Sequence, residues 1–312
     1  MDELDLQILE ILDQNSRTPY DEIGKQVGLT GNAIRTRVVR LIEDEVIDDF
    51  AFKVNPEVFG IQTCYVKFQC PRKIKAAELI DQQLGKDSRY PEILTGIDGT
   101  TIVHVYGVGE EGLNQAINDL KRKISKAEVD LVIYRYKPPV EEVRINNSLL
   151  RVINTLTDDV RISVADLAKQ CNMTSKSVKY YLKQIRKKKI GRFSVNLQPN
   201  KISERIFVSI FVSKPETDYI RFAALFDSVK QDIKNLIVKD YLLVDPPGIF
   251  MNLTTESLSE IDKIEKKITS FLEKDYQFWK MFPSRHIYRD NLVFNIIRER
   301  ISNLERASVD LE

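Results

Sequence analysis

Two stretches of this chain, YDEIGKQVGLTGNAIRTRVVRLIEDEVI at 20–47 and VADLAKQCNMTSKSVKYYLKQIRKKKIG at 164–191, align without gaps at a shift of 144 positions. Lys25 meets Lys169, Gln26 meets Gln170 and Thr30 meets Thr174, while just upstream Arg17 meets Arg161. The apolar positions Ile23, Ile34, Val38 and Leu41 fall on Leu167, Val178, Leu182 and Ile185. After a one-residue slip Pro56 meets Pro199, and further on Ile124 of LKRKISK meets Ile268 of IEKKITS. The chain is therefore read as an internal duplication, each copy about half its length.

Each copy opens with three short helical patterns. In the first, Leu4, Ile8, Ile11 and Leu12 share one face, Ile23 and Val27 mark a second helix, and Thr30 is a good N-cap for a third. Gly28 and Leu29 suit the tight turn of a helix-turn-helix, and FAFKVNP after Ile47 reads as a strand in a short pair, the wing. Leu149, Val152, Ile153 and Leu156, then Leu167, then the run from Thr174 to Lys189, and finally GRFSVNLQP play the same parts in the second copy.

The rhythm then changes. Cys64, Val66, Phe68 and Cys70 alternate as on a half-buried strand. A helix near 73–85, strands at about 92–97 and 101–107, a helix at 110–126 and a strand at 128–136 give the order βαββαβ of a ferredoxin-like sandwich. VSIFV, FAALFDSV, YLLV, GIFMNL, a helix over 261–272 and YQFWKMF repeat that order. The expected class is α+β, with two winged helix-turn-helix units at 1–60 and 141–203 alternating with ferredoxin-like units at 61–140 and 204–289, and a last helix at 290–312.

Composition fits a globular protein. The chain has 312 residues, 43% hydrophobic and 30% charged, enough apolar side chain for real cores. No apolar run approaches a membrane span and the opening MDELDLQILE is acidic, so a cytoplasmic location is expected. Three cysteines without paired spacing argue against a disulfide framework or structural zinc, and neither a metal nor a cofactor is expected. The net charge of +1 hides an asymmetry: residues 1–60 hold 6 Lys/Arg and 13 Asp/Glu, a net of −7, whereas residues 141–200 hold 12 and 5, a net of +7.

A winged helix-turn-helix followed by a βαββαβ domain resembles the Lrp/AsnC (feast/famine) transcription regulators, through LDLQILEIL at 4–12, the turn and third helix at 28–42, and TGIDGTT at 95–101. The resemblance covers essentially the whole chain, twice, and implies two protomers fused into one pseudo-dimer. It also implies double-stranded DNA as partner, homo-oligomerisation through the ferredoxin-like domains, and a small amino-acid-like effector near the 95–101 hairpin, held by Thr95, Gly96, Asp98 and Thr100.

DNA readers of this kind lay the third helix in the major groove, so its outward face matters. In the second copy, with Val178, Leu182 and Ile185 inward, that face carries Lys176, Lys179, Tyr180, Lys183 and Lys187 behind the N-cap Thr174, and Arg192 extends the charge toward the wing. No acidic residue lies between Met173 and Arg192. Lysine suits phosphate as a point charge but lacks the fork that reads guanine. The first copy presents Thr30, Asn32, Thr36, Val39, Arg40 and Glu43, flanked by Arg35 and Arg37, groups suited to base edges, yet Glu43, Asp44 and Glu45 repel phosphate. Unequal heads are expected.

His104 and His286 read as partnered structural histidines rather than catalysts. Two other functions compete with regulation. Siroheme decarboxylases resemble this architecture and use histidine and arginine around a tetrapyrrole, but the two histidines here fall in no evident His/Arg/Tyr cluster. An architectural protein coating DNA without sequence preference would also fit the lysine stripe. No catalytic residues are expected.

Overall fold

The computed structural model describes residues 1–69, 84, 87–124, 132–136, 143–202, 205–232, 241–245, 247–288 and 291–309. The helix expected near 73–85, the residue Cys70 and the start of the strand expected at 128–136 lie outside the described residues.

The first copy opens with α1 (Glu3–Gln14), α2 (Tyr20–Val27) and α3 (Gly31–Glu43). A capping box starts α1, the Asp5 amide donating to Asp2 Oδ1 at 2.9 Å and the Asp2 amide to Asp5 Oδ2 at 3.0 Å. Gly28 ends α2 in the left-handed region at φ 75°, the geometry of a tight turn, and its counterpart Asn172 sits there too at φ 51°. The chain continues through β1 (Ile47–Val54), β2 (Ile61–Gln69), β3 (Glu92–Gly96), β4 (Thr100–Val108), α4 (Gly109–Lys123) and β5 (Val132–Tyr136). The second copy has α5 (Asn147–Asp158), α6 (Val164–Gln170), α7 (Ser175–Lys187), β6 (Gly191–Leu197), β7 (Ile206–Ser213), α8 (Tyr219–Asp232), β8 (Tyr241–Asp245), β9 (Gly248–Thr255), α9 (Leu258–Leu272) and β10 (Gln277–Met281). β11 (Pro283–Tyr288) and α10 (Leu292–Val309) close it.

The short strand pair expected after each third helix forms between the copies. β1 pairs antiparallel with β6, Phe52 opposite Phe193 with their rings stacked at 5.0 Å. Side chains follow the exchange. Phe52 and Val54 of β1 pack into the core of α5, α6 and α7, while Val195 and Leu197 of β6 pack with Ile8, Ile34, Val38 and Leu41 in the core of α1, α2 and α3. Each head thus completes its apolar core with a strand from the other copy, so neither encloses its own core.

The remaining strands form one nine-stranded sheet in the order β10-β7-β9-β8-β5-β2-β4-β3-β11. Within each copy the four strands follow the antiparallel ferredoxin-like order, last-first-third-second, and β5 joins β8 to fuse the two halves. β11 is an addition that alternation did not reveal. It follows β10 after Phe282 alone, yet pairs with β3 at the opposite end of the order, so the two halves face one another. Tyr65, Leu94 and Ile102 from one half pack there against Phe211, Phe250 and Met281 from the other. The outer faces are covered by α4 and by α8 and α9. α10 buries Val293 and Ile297 against the second head and ties its start to Ser88, which accepts from the Leu292 amide at 2.9 Å. Among the described residues no helix is long and apolar enough to cross a membrane.

Candidate nucleic-acid interface

In α7 the apolar spacing fixes the outward face. Thr174 caps the helix, accepting from the Ser177 amide at 3.1 Å, and Val178 and Ile185 are fully buried. Lys176, Lys179, Tyr180, Lys183 and Lys187 are exposed, Tyr180 at 58%, and Arg186, Lys188 and Lys189 extend the exposed charge. Among the described residues none of these cationic side chains has an ion-pair partner. Arg192 is different: it is half-buried in β6 opposite Lys53, beside the charges of the sheet junction, and does not continue the α7 stripe.

The first head is built alike and charged otherwise. Thr30 caps α3 through the Ala33 amide at 3.2 Å, and Asn32, Arg35, Thr36, Val39 and Arg40 are exposed, Thr36 donating to the Asn32 carbonyl at 3.1 Å. Two of the expected contacts are occupied within the head. Arg37 pairs with Asp2 at 2.8 Å and Asp5 at 2.7 Å, and Arg40 pairs with Asp5 at 2.7 Å. Hydrogen bonds from Arg37 to Asp2 and Asp5 hold its guanidinium protonated more firmly than usual. The helical spacing gave these arginines an outward face but not the carboxylates of α1 waiting beside them. Asp5→Asn should therefore cost about 1–3 kcal/mol in chemical denaturation, less than a fully buried pair because both arginines are partly exposed, and should raise duplex affinity a few-fold if α3 touches DNA.

The heads are locked by the arginines the repeat had aligned. Arg17 donates to the Val160 carbonyl and, at 2.8 Å, to the Ile162 carbonyl, while Arg161 donates to the Ser16 and Thr18 carbonyls. Each guanidinium also lies near an aromatic ring, Arg17 5.7 Å from the Phe193 centroid and Arg161 5.0 Å from that of Phe50. Their matching positions were legible, but their role was not.

At the 95–101 hairpin the polar groups largely engage each other. Gly99 makes the turn at φ 88°, Asp98 accepts from the Thr100 amide at 2.9 Å and lies 2.7 Å from its hydroxyl, and Gln69 donates to the Asp98 carbonyl at 2.6 Å. Gly96 has Met281 so close that an added Cβ would meet its Cγ at 2.7 Å. Thr95 is buried, its hydroxyl without a hydrogen-bond partner among the described residues and its carbonyl accepting from Ser284 at 3.0 Å.

The histidines do belong to a cluster, contrary to the sequence reading. His286 Nε2 lies 2.8 Å from Glu92, the Tyr288 hydroxyl 2.6 Å from His286 Nδ1, and His104 Nδ1 3.4 Å from the other Glu92 oxygen. Lys53 rests over the Tyr288 ring at 4.6 Å. Register explains the gathering: Glu92 faces His104 across β3 and β4, and Tyr288 faces Glu92 across β11 and β3. Without β11 the cluster could not be seen. Burial alone would push the Glu92 carboxyl up, but hydrogen bonds to His104 and His286 and the Lys53 charge reverse this and hold it well below the usual range. A carboxyl depressed by folding stabilises above its unfolded value of about 4.3 and loses that contribution as pH falls toward its folded value. Wild-type stability should thus fall more steeply below about pH 4.3 than that of Glu92→Gln, which denaturation across an acid series would measure.

Comparison with known proteins agrees with this architecture. The AsnC-type helix-turn-helix domain matches residues 1–42, and a family described as winged helix-turn-helix DNA-binding matches residues 145–188. The HTH-type transcriptional regulator LysM of Sulfurisphaera tokodaii is 31% identical over 131 residues, covering 39% of this chain and 85% of LysM. LrpA of Pyrococcus horikoshii is 42% identical over 60 residues, 19% of this chain, and the match spans only 43% of LrpA's own length. The crystal structure of the siroheme decarboxylase NirDL superposes with a TM-score of 0.56 at 14% identity, covering 97% of this chain and 100% of that one, a likeness of fold. The chain belongs to the Lrp/AsnC family of HTH-type transcriptional regulators.

Proposed function

We propose that this chain is a sequence-specific DNA-binding transcription regulator acting as a fused pseudo-dimer, with α7 supplying most of the affinity and α3 the finer selectivity. The observation that carries the reading is the exposed lysine stripe of α7, without ion-pair partners among the described residues, on a helix whose opposite face is locked into the core. Its contacts are Thr174, Lys176, Lys179, Tyr180, Lys183 and Lys187, joined by Thr30, Asn32, Arg35 and Thr36 of the first head, with Arg37 and Arg40 held back by Asp2 and Asp5. Fluorescence anisotropy on random duplex from about 50 to 200 mM salt tests it: a steep fall in affinity is expected, and no binding at low salt would overturn it.

The chain divides functionally at about residues 60, 140, 203 and 289, with β1 and β6 exchanged across the first and third units. It works in the cytoplasm, assembles further through its sheets, and responds to an amino-acid-like effector near Thr95, Gly96, Asp98 and Thr100, where the buried Thr95 hydroxyl lacks a partner among the described residues. It performs no catalysis. Glu92 pairs with His286 Nε2 and His104 Nδ1, which supports a structural role for the cluster, although the buried His104 Nε2 has no hydrogen-bond partner among the described residues. A shifted absorbance band on adding siroheme would argue for the tetrapyrrole alternative instead.

A further inference from the structure

Where the heads meet, an open cleft of about 420 Å³ separates the turn after α1 from the C-terminal half of α7. Asn15 and Arg17 form one wall, Lys183, Arg186 and Lys187 the other, and Phe193 with Leu182 the floor. Spacings of three and four residues put the three α7 cations on one side of the helix. Among the described residues no acidic one lines the cleft, and Lys183, Arg186 and Lys187 have no ion-pair partner. Arg17 commits N–H groups to the Val160 and Ile162 carbonyls, which leaves about three of its five donors. It also sits partly buried near Arg161, and although the Asp159 carboxylate acts favourably on both, burial and the neighbouring cation make its charge costly. An anion in the cleft would relieve that cost.

The duplication supplies an internal control. At the 144-residue shift Asn15 corresponds to Asp159, Lys183 to Val39, Arg186 to Ile42 and Lys187 to Glu43. The mirror position therefore presents an acid and exposed apolar side chains, Val39 at 45% and Ile42 at 41%, where this cleft presents cations. One seam has been made cationic and the other has not, on the same backbone scaffold. We propose that the cleft between the turn after α1 and α7 is a phosphate site, one per chain, for a backbone phosphate of bound duplex or for a phosphorylated small molecule.

The test uses the full chain and transplants the mirror chemistry, Asn15→Asp with Arg186→Ile, residue types the other head already carries on the same scaffold. Calorimetric titration with inorganic pyrophosphate at about 50 mM salt should give one site in the wild type, weakened at least about tenfold in the double variant and unchanged in Lys169→Ala, an exposed cation outside the cleft. The duplex salt series separates the sources. If the double variant lowers the salt slope by about one and pyrophosphate competes with duplex, the occupant is a backbone phosphate. If pyrophosphate binds and the slope is unchanged, the occupant is a free phosphorylated molecule. If no duplex binds at all, one-site pyrophosphate binding that the double variant weakens still supports the phosphate site, so its fate is distinguishable from that of the DNA reading. It is overturned if pyrophosphate binds both proteins equally, or if wild type shows no pyrophosphate binding and the variant leaves the duplex slope unchanged.

Discussion

Reversing two charges on α7, Lys179→Glu with Lys183→Glu, is expected to weaken binding to random duplex by about a hundredfold or more at roughly 0.1 M salt. The magnitude follows from counterion release. Each phosphate contact contributes about 0.9 to the slope of log affinity against log salt, hence close to one decade at that concentration, and two contacts nearly two. Replacing the lysines by carboxylates adds repulsion. The slope itself should fall by about two. Because both side chains are exposed and lack ion-pair partners among the described residues, the thermal midpoint should scarcely change, so lost binding cannot be laid to unfolding. Compared one for one with Lys179→Glu at the equivalent position, Arg35→Glu in the first head should cost far less, since that head is already strongly acidic. Equal losses from the two heads, or an unchanged affinity in the α7 double variant, would sink the unequal-heads reading.

How much of this was legible in the sequence depends on what a period can encode. Apolar spacing identified α3 and α7, their buried faces and their threonine caps, because a helix and its cap are local in sequence. The order of the described strands and helices after each head was legible for the same reason. Pairing partners were not. Period-two alternation says which residues of β1 share a face, but nothing in FAFKVNP specifies that its partner is 141 residues away at Phe193 instead of in its own copy. β11 is short and follows β10 across Phe282 alone, so its residues read as a continuation, and the buried Glu92 cluster that depends on it stayed invisible. In α3, geometry gave Arg37 and Arg40 as flanking and outward, but whether an outward arginine is free depends on a second helix, here the Asp2 and Asp5 of α1.

The strand exchange makes the second large prediction. Phe52 belongs by sequence to the first head, yet its side chain is 4% exposed in the core of the second, stacked on Phe193 and grouped with Val152, Ile153 and Ile185. Phe52→Ala removes a buried ring and should cost about 3–5 kcal/mol, the range for emptying such a site in a packed core. Where that cost is felt separates two folds. If β1 pairs within its own copy, the loss of hydrogen-exchange protection concentrates in α1, α2 and α3. With β1 exchanged, it concentrates in α5, α6 and α7, while the first head, whose core holds Val195 and Leu197 instead, keeps most of its protection. The reciprocal change, Val195→Ala, should loosen the first head by about 2–4 kcal/mol and spare the second. The functional consequence follows from the packing: with α7 resting on a core that β1 completes, Phe52→Ala should weaken duplex binding through the second head although residue 52 lies in the first copy and outside the lysine stripe. Protection lost in α1 to α3 with α7 unaffected would show that the exchange does not form in solution.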